Sequence, residues 1–207
     1  MSKEIFEKNG YYIVRSAISS ELRDFVTQYA LFDEMQMPLN PDPQVPNAYK
    51  KYADPAMETM LLHIHPLIEK HTGLTLIPSY SYYRVYHDGD DLAPHKDRPS
   101  CEISATMCLN YNYGHSDYQW PIYMNGTSVV LEPGDLVIYR GCDLSHWRNT
   151  LDRVSDNVWH VQGFFHYVDA NGPYSHIQFD GRPSIGYYNR SDDFDTRIKK
   201  PYIEYLK

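Results

Sequence analysis

The sequence predicts a β-sandwich or jelly roll with helices packed on one face. Three observations carry that prediction. From residue 74 onward, six short β-rich runs are separated by Gly, Pro, Asn and Asp. Two segments with helical spacing and cap residues precede them. The chain has 207 residues, 42% of them hydrophobic, which suits one core and a single domain over residues 1–207.

In chain order, "GYYIVRSAI" is apolar and β-rich and reads as a first strand. The following "SSELRDFVTQYALFDEM" offers Ser19 or Ser20 as N-cap. Leu22, Phe25, Val26, Tyr29 and Ala30 recur there at helical spacing and predict one apolar face. Four prolines make "QMPLNPDPQVPNAY" an irregular loop. A second helix opens with Asp54 as cap and Pro55 at its first position, and ends at Gly73. Pro66 is expected to kink or break it. The β-rich runs are "LTLIPSYSYYRVY", "CEISATMCLNY", "WPIYMNG", "TSVVLE", "DLVIYRG" and "VWHVQGFFHYV". They make residues 74–170 the jelly-roll core. Residues 171–207 form a polar, aromatic C-terminal extension that covers the barrel, lines its mouth or meets a second copy in a homodimer.

A formal net charge of −8 and a pI near 5.6 disfavour a general nucleic-acid or anionic-membrane binder, which needs excess Lys and Arg. Cys101, Cys108 and Cys142 are odd in number and form no CxxC, so neither a disulfide framework nor a zinc knuckle is expected. With no apolar leader and no run long enough to span a membrane, a cytoplasmic protein is expected.

The chemistry concentrates in His95-Lys96-Asp97. In an extended segment, residues i and i+2 point to the same side. One imidazole nitrogen and one carboxylate can therefore converge on one metal ion. His146, after a Pro-Gly-Asp turn, a strand and a short loop, is placed to supply a third ligand through pairing of distant strands. Two His and one carboxylate suit non-haem Fe(II) and dioxygen chemistry.

Tyr86, Gly89, His95, Asp97, Pro133, Gly134, Asp135 and His146 together form a pattern. It resembles the metal-binding core of the Fe(II)- and 2-oxoglutarate-dependent oxygenases, particularly the prolyl-4-hydroxylase-like branch. The resemblance covers roughly residues 74–170. It implies a double-stranded β-helix with Fe(II) held by His95, Asp97 and His146. It also implies 2-oxoglutarate and O2 as cosubstrates, with ascorbate as an accessory reductant. The expected reaction hydroxylates a peptide side chain or a small molecule and releases succinate and CO2.

Relatives also place a Lys or Arg on the last barrel strand for the far carboxylate of 2-oxoglutarate, with a Tyr hydroxyl from the strand before the HxD. Tyr86 matches the Tyr. The strand "VWHVQGFFHYV" has no Lys or Arg. If it alternates, His160, Gln162, Phe164 and His166 face the barrel interior, while Trp159, Val161 and Phe165 pack outside. His160 then takes about the place of the usual cation. Arg148, Arg153, Arg84 and Arg98 are rivals. Two other functions remain open. One is a nucleic-acid demethylase of the same superfamily, disfavoured because Arg148 and Arg153 are five apart and expected in a loop. The other is a jelly-roll protein that keeps its metal without turnover.

Overall fold

The computed structural model describes residues 2–37, 42, 44–114 and 117–187. The expectations for residues 188–207, and for 38–41 and 43 in the proline-rich loop, lie outside the described residues.

Helix α1 (Ser2–Asn9), strand β1 (Tyr11–Val14), helix α2 (Ser20–Gln36), strand β2 (Tyr49–Tyr52) and helix α3 (Pro55–Thr72) come first. Strands β3 (Leu76–His87), β4 (Leu92–His95), β5 (Ile103–Asn112), β6 (Ile122–Met124) and β7 (Thr127–Val129) follow. Strands β8 (Leu136–Arg140), β9 (His146–Arg148) and β10 (Trp159–Asp169) complete the barrel.

The caps form where the sequence places them. Ser19 accepts a hydrogen bond from the Leu22 N–H, and Asp54 accepts from the Ala56 and Met57 N–H groups. Gly73 closes α3 in the left-handed conformation, with φ 71°, a geometry open to a residue without Cβ. Two expectations are corrected. Helix α3 continues past Pro66. It buries Met57, Met60, Leu61, Ile64 and Ile68 at about 1.5–3 kcal/mol each, which outweighs a proline penalty of about 3 kcal/mol. On α2, Val26 and Ala30 are buried, but Phe25 is 67% exposed and lies off the face that packs.

The strands form two antiparallel sheets, ordered β1-β8-β5-β10-β3-β2 and β4-β9-β6-β7. This interleaved order is that of a double-stranded β-helix. The helices cover the outer face of the larger sheet. Val161 and Phe165 of β10 join that helix-side core, and Trp159 packs against it. The alternate residues His160, Gln162, Phe164 and His166 are buried on the inner face, as period-2 alternation requires. Between the sheets lie two further apolar clusters, one around Tyr86, Leu92, Trp120 and Phe164, the other around Cys108, Ile122, Met124 and Tyr139.

The extension after β10 folds back over the barrel as far as residue 187. Arg182, with its side chain fully buried, pairs with Glu58 of α3 at 3.2 Å. Asp180 pairs with Arg98 at 2.6 Å and accepts from the Tyr52 hydroxyl at 2.7 Å. The backbone is left-handed at Phe179, Asp180 and Gly181 in succession. Among the described residues, no helix is long and apolar enough to cross a membrane.

Candidate metal centre

Strands β4 and β9 pair antiparallel with His95 opposite His146. Their rings stand 4.2 Å apart, centroid to centroid. Asp97 follows β4 and is fixed through its N–H, which donates to the Gly141 carbonyl at 2.9 Å. Its Oδ1 lies 3.7 Å from His95 Nε2 and 3.6 Å from His146 Nε2. The three ligand atoms fall within 4.8 Å of one another.

The surrounding hydrogen bonds prepare these atoms for a cation. His95 Nδ1 meets the Ala93 carbonyl at 2.9 Å, and His146 Nδ1 meets the Leu144 carbonyl at 3.0 Å. A carbonyl only accepts, so each Nδ1 carries the proton and each Nε2 presents a lone pair. Burial pushes the pKa of His146 down, against the pull of Asp97. Asp97 Oδ2 accepts from the Ser104 hydroxyl at 2.9 Å, which leaves Oδ1 for the metal. Ser104 in turn accepts from His166 Nδ1 at 2.9 Å. Burial pushes His166 down to about 4, so it is a neutral donor. This outer layer orients ligands as metal sites require. Two neutral imidazoles and one carboxylate oxygen fit Fe(II). A second trio, Asp97, Cys101 and His166, shares Asp97 but fits poorly. Burial raises the Cys101 thiol pKa far above neutrality, and a thiol must ionise to ligate well.

A cavity of about 360 Å³ opens beside the triad, lined also by Lys50, Tyr82, Arg84, Arg98 and Phe164. The basic residues singled out by sequence fall into different places. Arg84 is buried and donates to Asp42 Oδ2 from Nε (3.2 Å) and Nη2 (2.7 Å), and to Gln44. Its Nη1 reaches the Tyr86 hydroxyl at 3.3 Å. Arg148 lies on β9, not in a loop, and shares the inner face with His146. It donates to the Trp120 carbonyl and Gln162 Oε1 and lies over the Trp120 ring. Among the described residues, no carboxylate pairs with it. His160 accepts from the Tyr113 hydroxyl at Nδ1 and donates from Nε2 to Gln162. Burial, then Arg148, holds its pKa well below the usual imidazole value, so it is neutral. Arg153 is 69% exposed and pairs with Asp156 at 3.6 Å, away from the cavity.

Sequence reasoning did not find Lys50, Asp42 and Gln44 on the cavity wall, nor Asp180 at Arg98. Strand β2 carries Lys50 and was hidden in the stretch after the prolines. Asp42 reaches the wall, and Asp180 reaches Arg98, from outside the barrel strands, where no periodicity marks them. His63, His65 and His71 hold no metal geometry; His65 meets the Leu76 carbonyl and His71 stacks on Tyr12.

No protein-family model matches the chain, and no curated protein matches it. Solved structures do. A Pseudomonas putida prolyl-4-hydroxylase is 18% identical, with TM-score 0.60 over 80% of this chain and 96% of its own. The non-haem α-ketoglutarate-dependent epimerase SnoN of nogalamycin biosynthesis is 12% identical, TM-score 0.63, over 81% and 82%. EctD from S. alaskensis, solved with 2-oxoglutarate and 5-hydroxyectoine, is 13% identical, TM-score 0.62, over 81% and 75%. The fold is that of the 2-oxoglutarate oxygenases. The three matches are about equally distant, so the fold does not single out the prolyl-4-hydroxylase branch that the motif resembles.

Proposed function

We propose that the protein is an Fe(II)- and 2-oxoglutarate-dependent dioxygenase that hydroxylates a peptide side chain or a small molecule. The observation that carries this reading is the triad: both Nε2 atoms and Asp97 Oδ1 converge, while both Nδ1 atoms and Asp97 Oδ2 are tied down. At His146 Nε2 there is only a long contact of 3.4 Å from the Tyr139 hydroxyl. When bound, Fe(II) with 2-oxoglutarate and O2 supplies oxidative decarboxylation to succinate and CO2, coupled to hydroxylation of a substrate C–H. His95, Asp97 and His146 would hold the metal. Ser104 and His166 keep Asp97 in position.

Arg148 is the best candidate to hold the far carboxylate of the cosubstrate, with the Tyr86 hydroxyl nearby. It is a buried cation without a carboxylate partner, a condition that costs several kcal/mol and that an incoming carboxylate offsets. Arg84 already has Asp42, His160 is neutral, and Arg153 is exposed. An Arg also binds a carboxylate through two parallel hydrogen bonds.

The test is succinate formation by purified protein with Fe(II), ascorbate and 2-oxoglutarate. His95→Ala and Asp97→Ala should abolish it together with tight metal binding. No iron-dependent 2-oxoglutarate consumption under any condition would sink the proposal. Arg148→Met should weaken 2-oxoglutarate binding at least about tenfold, the worth of a charge-assisted hydrogen bond or more, with metal affinity retained. An unchanged 2-oxoglutarate requirement would return the role to Arg84.

A further inference from the structure

The cavity beside the triad has one cation more than its partners account for. Outside the triad its charged wall residues are Lys50, Arg84, Arg98 and Asp42. Arg84 is paired with Asp42, and Arg98 with Asp180. Lys50 has no ion pair or hydrogen bond among the described residues. Its neighbour Lys51 points to the opposite face of β2, where Asp33 and Asp54 hold it at 2.9 and 3.1 Å. Of the cations that line the cavity, Lys50 alone has no carboxylate partner among the described residues.

Lys50 also sits in an unfavourable place. In the β2–β3 register it is directly opposite Arg84, and both line the cavity. Like charges directly opposite each other on neighbouring strands destabilise a sheet. An edge strand does use lysines to deter pairing with other chains. That role needs a charge in water. It gives no reason to set Lys50 beside Arg84 over the metal cavity. The next row inward is aromatic, with Tyr52 opposite Tyr82 and Tyr82 opposite Phe164. A charged end at Lys50 would thus be followed by an apolar surface on the way to the triad.

We infer that the substrate is a carboxylate-bearing molecule, its carboxylate paired with Lys50 and its less polar body laid along Tyr82 and Phe164 toward the metal. A single negative charge matches the single excess cation; a phosphate dianion would exceed it. This inference rests on the oxygenase reading and deepens it.

The experiment uses the full chain under anaerobic conditions, with Ni(II) in place of Fe(II), saturated with 2-oxoglutarate so that its own site is filled. N-acetyl amino acids and the matching N-acetyl amino acid carboxamides are titrated by calorimetry. Each pair differs only in the charge at one end. The acids should bind about five- to tenfold tighter than the amides, the scale of a partly exposed ion pair with a hydrogen bond. Lys50→Met should erase the difference, and Lys50→Arg should keep it. Lys50 lies on an edge strand, and thermal unfolding checks that the variants fold. Equal binding of acid and amide, no binding by any acid, or a preference that survives in Lys50→Met overturns the inference. The same titrations are run without metal and cosubstrate. Failure of Ni(II) or 2-oxoglutarate to bind counts against the oxygenase reading, while the acid–amide comparison still decides the role of Lys50.

Discussion

Gly141→Ala tests the metal centre without touching a ligand. Gly141 follows β8 and is pressed against the carboxylate that completes the triad. Its carbonyl accepts the Asp97 N–H, and its own N–H donates to the Glu102 carbonyl at 3.0 Å. A Cβ there would stand 2.5 Å from Asp97 Oδ2 and 2.8 Å from Ser104 Oγ, and would crowd the Cys101 carbonyl as well. Ordinary contact begins at 3.4 Å, so Oδ2 must retreat by about 0.9 Å or the backbone must open. The carboxylate cannot retreat and keep both its Ser104 bond and its approach to the two Nε2 atoms. Overpacking should cost about 1–3 kcal/mol of stability. Loss of ligand orientation should lower metal affinity about 10- to 100-fold. Calorimetric titration with Co(II) reads the second quantity, and urea unfolding reads the first. Metal affinity within about twofold of the parent, with stability lowered as expected, would refute the claim that this contact sets the Asp97 carboxylate.

Ser104→Ala removes the same carboxylate's donor and should weaken metal binding about tenfold. It also strands the buried His166 N–H, for a stability loss of about 1–3 kcal/mol; metal titration and urea unfolding measure the two effects. Glu58→Gln should destabilise the fold by about 3–5 kcal/mol, because Arg182 loses its buried counter-charge. The double variant Glu58→Met/Arg182→Met should recover part of that in urea unfolding, and a single-variant loss under about 1 kcal/mol would contradict the argument. Asp180 gives a pH signature. Burial raises its pKa, but hydrogen bonds from Arg98 and Tyr52 win and hold it below the ordinary carboxylate value. A depressed folded pKa contributes stability that is present above the unfolded value, near 3.8, and is lost as pH falls through the folded one. The stability gap between the parent and Asp180→Asn should be full at neutral pH and shrink below about pH 4. A gap that stays constant across that range would show that the ion pair is not its source.

The sequence carried the helices and the long strands because caps and periodicity are local. Ser19, Asp54, Pro55 and Gly73 act within one turn of chain, and β10 alternates over eleven residues. Strands β2, β4 and β9 and helix α1 left no such trace. Strand β9 has three residues, too few for a period, although it carries His146 and Arg148. Strand β4 contains Pro94, which is tolerated because β4 is at the sheet edge. Helix α1 is short and mostly charged, and only its Phe6 is buried in the core. The triad was legible because i, i+2 spacing and a strand context constrain it. The groups that steer it were not. Ser104, Gly141 and His166 meet Asp97 only through the crossing of β5, β8 and β10, which no local pattern specifies. The same holds for Arg84, whose partner Asp42 lies in a loop over forty residues earlier.

The order of synthesis gives the strap around Asp180 and Arg182 a meaning beyond its bonds. The ribosome delivers α3, with Glu58, and the segment holding Arg98 long before residues 180 and 182. Until those arrive, Glu58 lacks its guanidinium and Arg98 its carboxylate, and one side of the metal cavity stays unfinished. A nascent or clipped chain ending near residue 170 contains every barrel strand and all three residues of the candidate triad. It would still leave a bare acid at the back of the sheet and a loose arginine next to Asp97. Completion of this centre is therefore a late event in the life of the chain.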